Sequence, residues 1–207
     1  MTKKEILARD RILIAAKTLF YKKGYEQVTV REIAKEANCS HTSIYVYFHD
    51  KHKLLEELAE KPLDKLIKEM NSILTNEKFS PEQKLIRTSQ TFVHFGLFYR
   101  NLYQAFVTVD ASRVDVTSTK WELNKTRLRL FDSLQLAVKE NFTEWGEAQL
   151  LEFSRMIYYM LHGIIMTYKD VEERVIQIER RVLPIVKQSV HYFIKGVVAS
   201  ESPQGIS

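Results

Sequence analysis

The chain has 207 residues, 45% of them hydrophobic, with only six glycines and four prolines, a composition that suits a mostly helical globular protein with a substantial buried core. Its single cysteine, Cys39, excludes an internal disulfide and both common zinc frameworks. The formal net charge of +5 lies wholly within residues 1–55, where eleven basic side chains stand against six acidic ones, the asymmetry that a phosphate-binding surface needs.

The periodicity predicts a first helix over Lys4 to Lys23, with Ile12, Ala16, Leu19 and Phe20 on its buried stripe and Gly24 closing it. Its basic solvent side offers Lys3, Lys4 and Arg9 to DNA, although an ordinary solvated face explains them equally well. Thr29 and Glu32 have the spacing of a capping box, and Val30, Ile33, Ala34 and Ala37 follow on one face. Asn38 tolerates the left-handed conformation that ends such a helix, and Ser40 caps another almost at once.

On that third helix Ile44 and Phe48 point inward, which leaves Thr42 and Val46 on the opposite side, flanked by Ser43, Tyr45 and Tyr47. A short rod with a small uncharged outer surface and hydroxyls at its edges fits a major groove. Periodicity alone is equally consistent with a plain surface αα-corner.

Asp50 caps a fourth helix running to about Asn76, bent at Pro62, and it places Lys51 in the first turn, where amides and an ammonium together hold a phosphate. This helix leaves the first domain and ends against the second, so it is the candidate lever. Ser80-Pro81-Glu82-Gln83 is a strong new helix start, and the helical reading runs from there to Asn101. Asp110 to Thr119 reads as a loop or a frayed helix junction, followed by helices at about Thr119 to Asn141, Glu147 to Asp170 and Val171 to Ala199, the last bent at Pro184. The final two are apolar most of the way round, as helices buried on two sides are. Residues 201–207 are expected to be a disordered tail.

The run Ile12-Leu13-Ile14-Ala15-Ala16-Lys17-Thr18-Leu19-Phe20, then Lys23-Gly24-Tyr25, Val28-Thr29-Val30-Arg31-Glu32-Ile33-Ala34, Ser40, Ile44-Tyr45-Val46-Tyr47-Phe48, Lys51 and Leu54-Leu55 resembles the N-terminal domain of the tetracycline-repressor (TetR) family. It departs where the family usually has Gly-Val in the turn and this chain has Asn38-Cys39. The resemblance implies an all-α fold of about nine helices. A three-helix helix-turn-helix DNA-binding domain would occupy residues 1–55, with helix four (about 50–76) as connector and a ligand-binding and dimerisation bundle over residues 77–200. It also implies the Lys51 contact and dimerisation through helices eight and nine.

The expected function is therefore that of a homodimeric transcriptional regulator, a repressor released from a double-stranded operator of dyad symmetry by a small hydrophobic or aromatic effector. The DNA-binding set is Thr29, Arg31, Ser40, His41, Thr42, Ser43, Tyr45, Val46, Tyr47 and Lys51, with His41, Thr42 and Val46 choosing the bases. The effector set is Phe95, Tyr99, Tyr103, Trp121, Met156, Tyr159 and His162, with Tyr158 and Met160 beside them. Alternatives are a helical adaptor acting through protein contacts and a ligand-dependent activator. No cofactor or metal is expected, and no enzyme, since there is no helical Glu-x-x-His pair, glycine-rich phosphate loop or nucleophile elbow. The N-terminus lacks a signal-peptide core, and the apolar run Met156 to Tyr168 is too short to span a bilayer, so no membrane partner and a cytoplasmic location are expected.

Overall fold

The structure, a computed structural model, describes residues 3–109 and 122–201. Among these it forms nine α-helices and no strand: α1 (Lys3–Lys23), α2 (Val30–Glu36), α3 (His41–Phe48), α4 (Lys51–Leu74), α5 (Pro81–Phe98), α6 (Arg100–Thr108), α7 (Glu122–Asn141), α8 (Glu147–Thr167) and α9 (Val175–Glu201). The loop expected over Asp110 to Thr119 and the end of the tail beyond Glu201 lie outside the described residues. No described helix is long and apolar enough to cross a membrane.

Local chemistry sets the starts and stops. Thr29 and Glu32 form the capping box of α2, Ser40 and Asp50 accept from the third amides of α3 and α4, and Ser80 with Gln83 forms the box of α5. Gly24, at φ +78°, ends α1, and Asn38, at φ +51°, takes the left-handed position just after α2.

The ends of later helices differ from the periodic reading. The helix expected through Asn101 stops at Phe98, and Tyr99 turns the chain (φ −108°, ψ 42°) before α6 begins. α8 ends at Thr167 and α9 waits until Val175. One side chain ties these departures together: the Arg100 guanidinium donates to the carbonyls of Leu97, Tyr168, Val171 and Glu173, and so occupies acceptors in the α8–α9 connection that a continuing helix would use. Pro62 and Pro184 stand within α4 and α9 without ending them.

Two packed regions share one continuous core. In the first, Ile12, Ala16, Leu19 and Phe20 of α1 are buried with Ile33, Ile44 and Phe48. α4 extends this core through Leu54, Leu55, Ala59, Leu63, Leu66, Ile67, Met70 and Leu74, then packs on α5 and α7. α5 is the central post, contacted by α4, α7, α8 and α9, and polar rungs run down its α9 side: His94 with Glu179, the Gln90 amide to the Leu183 carbonyl (3.0 Å), and His191 with Glu82 (2.7 Å).

At the α5–α8 crossing Gly96 has no room for a side chain, because a Cβ there would lie 2.4 to 2.8 Å from three atoms of the buried, β-branched Ile165. Gly96→Ala is therefore expected to destabilise by about 1–3 kcal/mol through overpacking, despite alanine's better helix propensity. The urea midpoint should fall with an unchanged m-value.

Candidate nucleic-acid interface and the aromatic cluster behind it

α3 is eight residues long, and its inner face is settled by Ile44 and Phe48, both fully buried. That seating turns His41, Thr42 and Val46 outward, with Val46 70% exposed. Tyr45 is also exposed and meets the His41 ring edge to face at 6.4 Å, while Tyr47 is half-buried against the core. Ser43 lies at the rim, its hydroxyl 2.8 Å from that of Ser40, whose oxygen also accepts the Ser43 amide. Seven of the expected DNA-binding residues thus share one short helix and its cap.

The other three surround it. Arg31 is exposed on the first turn of α2. The Thr29 hydroxyl donates to Glu32 and accepts its amide, so it serves the cap. The Lys23 ammonium, with the amide and hydroxyl of Thr29, holds the Glu32 carboxyl down at about 2. Lys51 is drawn inward relative to the expectation: Nζ donates to the carbonyls of Tyr25 and Val28, each at 3.1 Å, and sits 4.0 Å from the centre of the Tyr25 ring. An ammonium has three donors, so one remains for a phosphate. Lys51→Met should therefore weaken duplex binding severalfold and also lower stability by about 1–3 kcal/mol, because two carbonyls lose their partner. Thermal unfolding beside an anisotropy titration reads both effects.

Arg9, offered to DNA by the sequence, is instead an internal fastening. It pairs with Glu57 and lies 5.0 Å from the Phe48 ring centre, tying α1 to α3 and α4. Cys39 is half-buried and burial pushes its thiol up, which favours the packing role over redox sensing. His49 was not foreseen as special. At φ +62° and ψ −46° it is the centre of a γ-turn, closed by the Asp50 amide on the Phe48 carbonyl at 2.7 Å, that joins α3 to α4.

Behind this head, the expected effector residues divide. Tyr103 and His162 come together, the Tyr103 hydroxyl 3.0 Å from His162 Nδ1. Burial raises the phenol and lowers the imidazole, so both groups are held in their neutral forms across this hydrogen bond. Tyr158 stacks on His162 (6.0 Å, 8°), and Phe92 and Phe131 pack edge-on to Tyr158.

Phe95 and Tyr99 make a second ring pair (5.1 Å) at the α5–α6 joint. Tyr159 only borders the first group, its ring edge-on to Tyr158 at 6.1 Å, and it and Met156 are 61% and 46% exposed on the outer side of α8. Trp121 lies outside the described residues.

The sequence reading missed Arg127, buried beside this cluster, which donates to the carbonyls of Phe106 and Val109 and to Asn124. A signal was there, because Leu123, Leu130, Phe131 and Leu134 place position 127 on the inward face of α7. A surface groove of about 400 Å³ lies elsewhere, between the first turn of α5 and α9, lined by Glu82, Ile86, Pro184, Lys187, Gln188 and His191.

Comparison with known proteins accords with this geometry. Residues 12–58 match the family described as bacterial regulatory proteins, tetR family. The HTH-type transcriptional regulator QacR of Staphylococcus aureus is 27% identical over 164 residues, covering 76% of this chain and 84% of that protein. The biofilm operon negative transcriptional regulator IcaR of S. aureus is 35% identical over 72 residues, a match that spans 35% of this chain and 37% of that regulator. Among solved structures, the TetR family regulator PfmR of Thermus thermophilus superposes with a TM-score of 0.63 at 22% identity, over 90% of this chain and 95% of that one. FadR of Bacillus subtilis, solved in complex with stearoyl-CoA, gives 0.59 at 21% identity over 86% and 96%.

Proposed function

Since the chain belongs to the TetR family of bacterial regulatory proteins and is a DNA-binding transcriptional regulator, not an enzyme, we propose that it works in the cytoplasm as a homodimeric repressor released from a palindromic operator by a small apolar effector. The observation that carries the reading is the outward surface of α3, a groove-sized rod mounted on the basic end of the chain. Thr42 and Val46 meet base edges, the valine against a thymine methyl, with His41 at the rim. Ser40, Ser43, Tyr45, Tyr47, Arg31 and the free donor of Lys51 take phosphates, and Thr29 holds the α2 cap in place.

Residues 1–55 form the reading head, α4 the connector and residues 77–200 the effector and pairing domain. Pairing uses the outer faces of α8 and α9. Met156, Tyr159, Ile185 and Tyr192 are large, apolar and about half exposed or more. Gly163 and Gly196 face open space on the same two helices, where each is a helix-weakening residue that a lone subunit does not need. A second copy brought close against them supplies the reason, in a two-fold bundle of four helices.

Repression is what the name of IcaR states for that protein, and an acyl thioester is what FadR holds in its crystal. In this chain the Tyr103–His162 cluster is the place we assign to a flat or greasy effector, entered by parting its rings. α6 carries the message outward. Tyr103 belongs to the cluster, Arg100 grips the α8–α9 connection, and the Asn101 amide donates to the Tyr21 carbonyl in the last turn of α1. Displacing Tyr103 strains that hold on the head and biases the spacing of the two heads. The shift is limited by the effector's difference in affinity for the two forms.

Selection of duplexes from a random pool, followed by mass measurement of the complex, tests the reading. A dyad with half-sites one turn apart, roughly 34–36 Å, bound by two chains is expected. A monomer at micromolar concentration, or binding indifferent to salt, would refute it.

A further inference from the structure

Half of the chain's six histidines, His41, His49 and His52, lie within twelve residues around α3. Two of them mark its ends: His41 is its first residue and His49 its C-cap, and both are exposed. Eight residues rising about 1.5 Å each make a rod of about 12 Å, close to the width of a major groove. Groups at the two ends of such a rod come within reach of the phosphates that wall the groove.

The γ-turn holds the His49 backbone at the C-terminal end of α3. His49 accepts a positive-φ conformation where glycine or asparagine would be the easier choice, and its ring is exposed there.

We infer that the imidazoles of His41 and His49 bind operator phosphates in their protonated form, so that DNA binding takes up protons and tightens as pH falls. Nothing in the helix-turn-helix pattern assigns His49 a role, and the inference rests on the DNA-binding assignment made above. Phosphate oxygens favour the imidazolium over the neutral ring, and by linkage the proton then favours the complex.

The surrounding charges are compatible. On α2 they are Arg31, Lys35, Glu36 and Glu32, the last paired with Lys23 of α1. On α4 they are Lys51, His52 and the pair Lys53–Glu56, and Arg9 of α1 is held by Glu57. Asp50, adjacent to His49, spends a carboxylate oxygen on the Lys53 amide as the α4 cap. Acid thus adds positive charge at both ends of a helix already set in a basic surface.

The test is an anisotropy titration of the full-length protein against a labelled mixed-sequence duplex of about 40 base pairs, between about pH 8 and pH 6 at fixed ionic strength. Affinity should rise at least about tenfold over that range, and the dependence of log affinity on log salt should steepen by up to about 1.8 as two more phosphates are neutralised. The double variant His41→Gln/His49→Asn, in which asparagine tolerates the positive φ, should bind with little pH dependence. The variant His94→Gln/His191→Gln, altered only in the bundle, should keep it.

A parent protein whose affinity ignores pH, or a head variant that retains the full dependence, overturns the inference while leaving DNA binding intact. No binding at any pH would overturn the DNA-binding assignment together with it.

Discussion

Replacing Gly163 with leucine is expected to lower operator affinity by roughly a hundredfold or more while leaving each subunit folded. The reason is the contrast between inside and outside at this position. Within one subunit a Cβ on Gly163 meets nothing within 4 Å, so substitution there starts into open space and removes a flexible residue from the C-terminal part of α8. In a lone chain the change should even be mildly stabilising, since glycine inside a helix is about 1 kcal/mol worse than alanine. In the proposed dimer the same leucine stands between two helices that need to approach closely. Each subunit is then left with a single head, and the gain from binding two half-sites at once disappears. Analytical ultracentrifugation with an operator titration separates the outcomes. A dimer of unchanged affinity carrying leucine at position 163 would place the pairing surface elsewhere.

The largest effect on stability is expected from Arg127→Met. Arg127 is 5% exposed; it donates to the Phe106 and Val109 carbonyls and to the Asn124 side chain, and its guanidinium lies 5.1 Å from the Phe106 ring centre. The carbonyls belong to the last turn of α6 and its C-cap, so one side chain of α7 satisfies helix-end acceptors that water does not reach. Methionine matches the bulk but donates nothing, and leaving several buried acceptors without their partner is worth about 3–5 kcal/mol. Urea unfolding followed by circular dichroism should show a midpoint shift larger than that of Gly96→Ala. A shift below about 1 kcal/mol would mean that the α6 terminus finds other donors.

Much of the reading head was legible in the sequence because its signals are local. A capping box, an asparagine in a left-handed position and an apolar pair four residues apart each act over one turn of helix, and the structure has Thr29, Asn38, Ile44 and Phe48 as those rules require. The effector region was less legible for the opposite reason. Met156 and Tyr159 have the same helical spacing as core residues, and only the direction from which α5, α6 and α7 approach α8 decides that Tyr158 and His162 face inward and they do not. Arg9 and Arg127 are charged residues whose partners lie 48 and about 20 positions away, beyond what helix periodicity reports. The helix break at Tyr99 belongs to the same class, because Arg100 finds its acceptors near position 170.

The unbroken apolar edge of α4, from Leu54 to Leu74, has a practical corollary. Cutting the gene after codon 55 would strip Leu54 and Leu55 of the rest of α4, and such a stub should clump instead of behaving as a miniature DNA binder. Melting of the intact protein should accordingly show one sharp step, with no early phase belonging to the head alone.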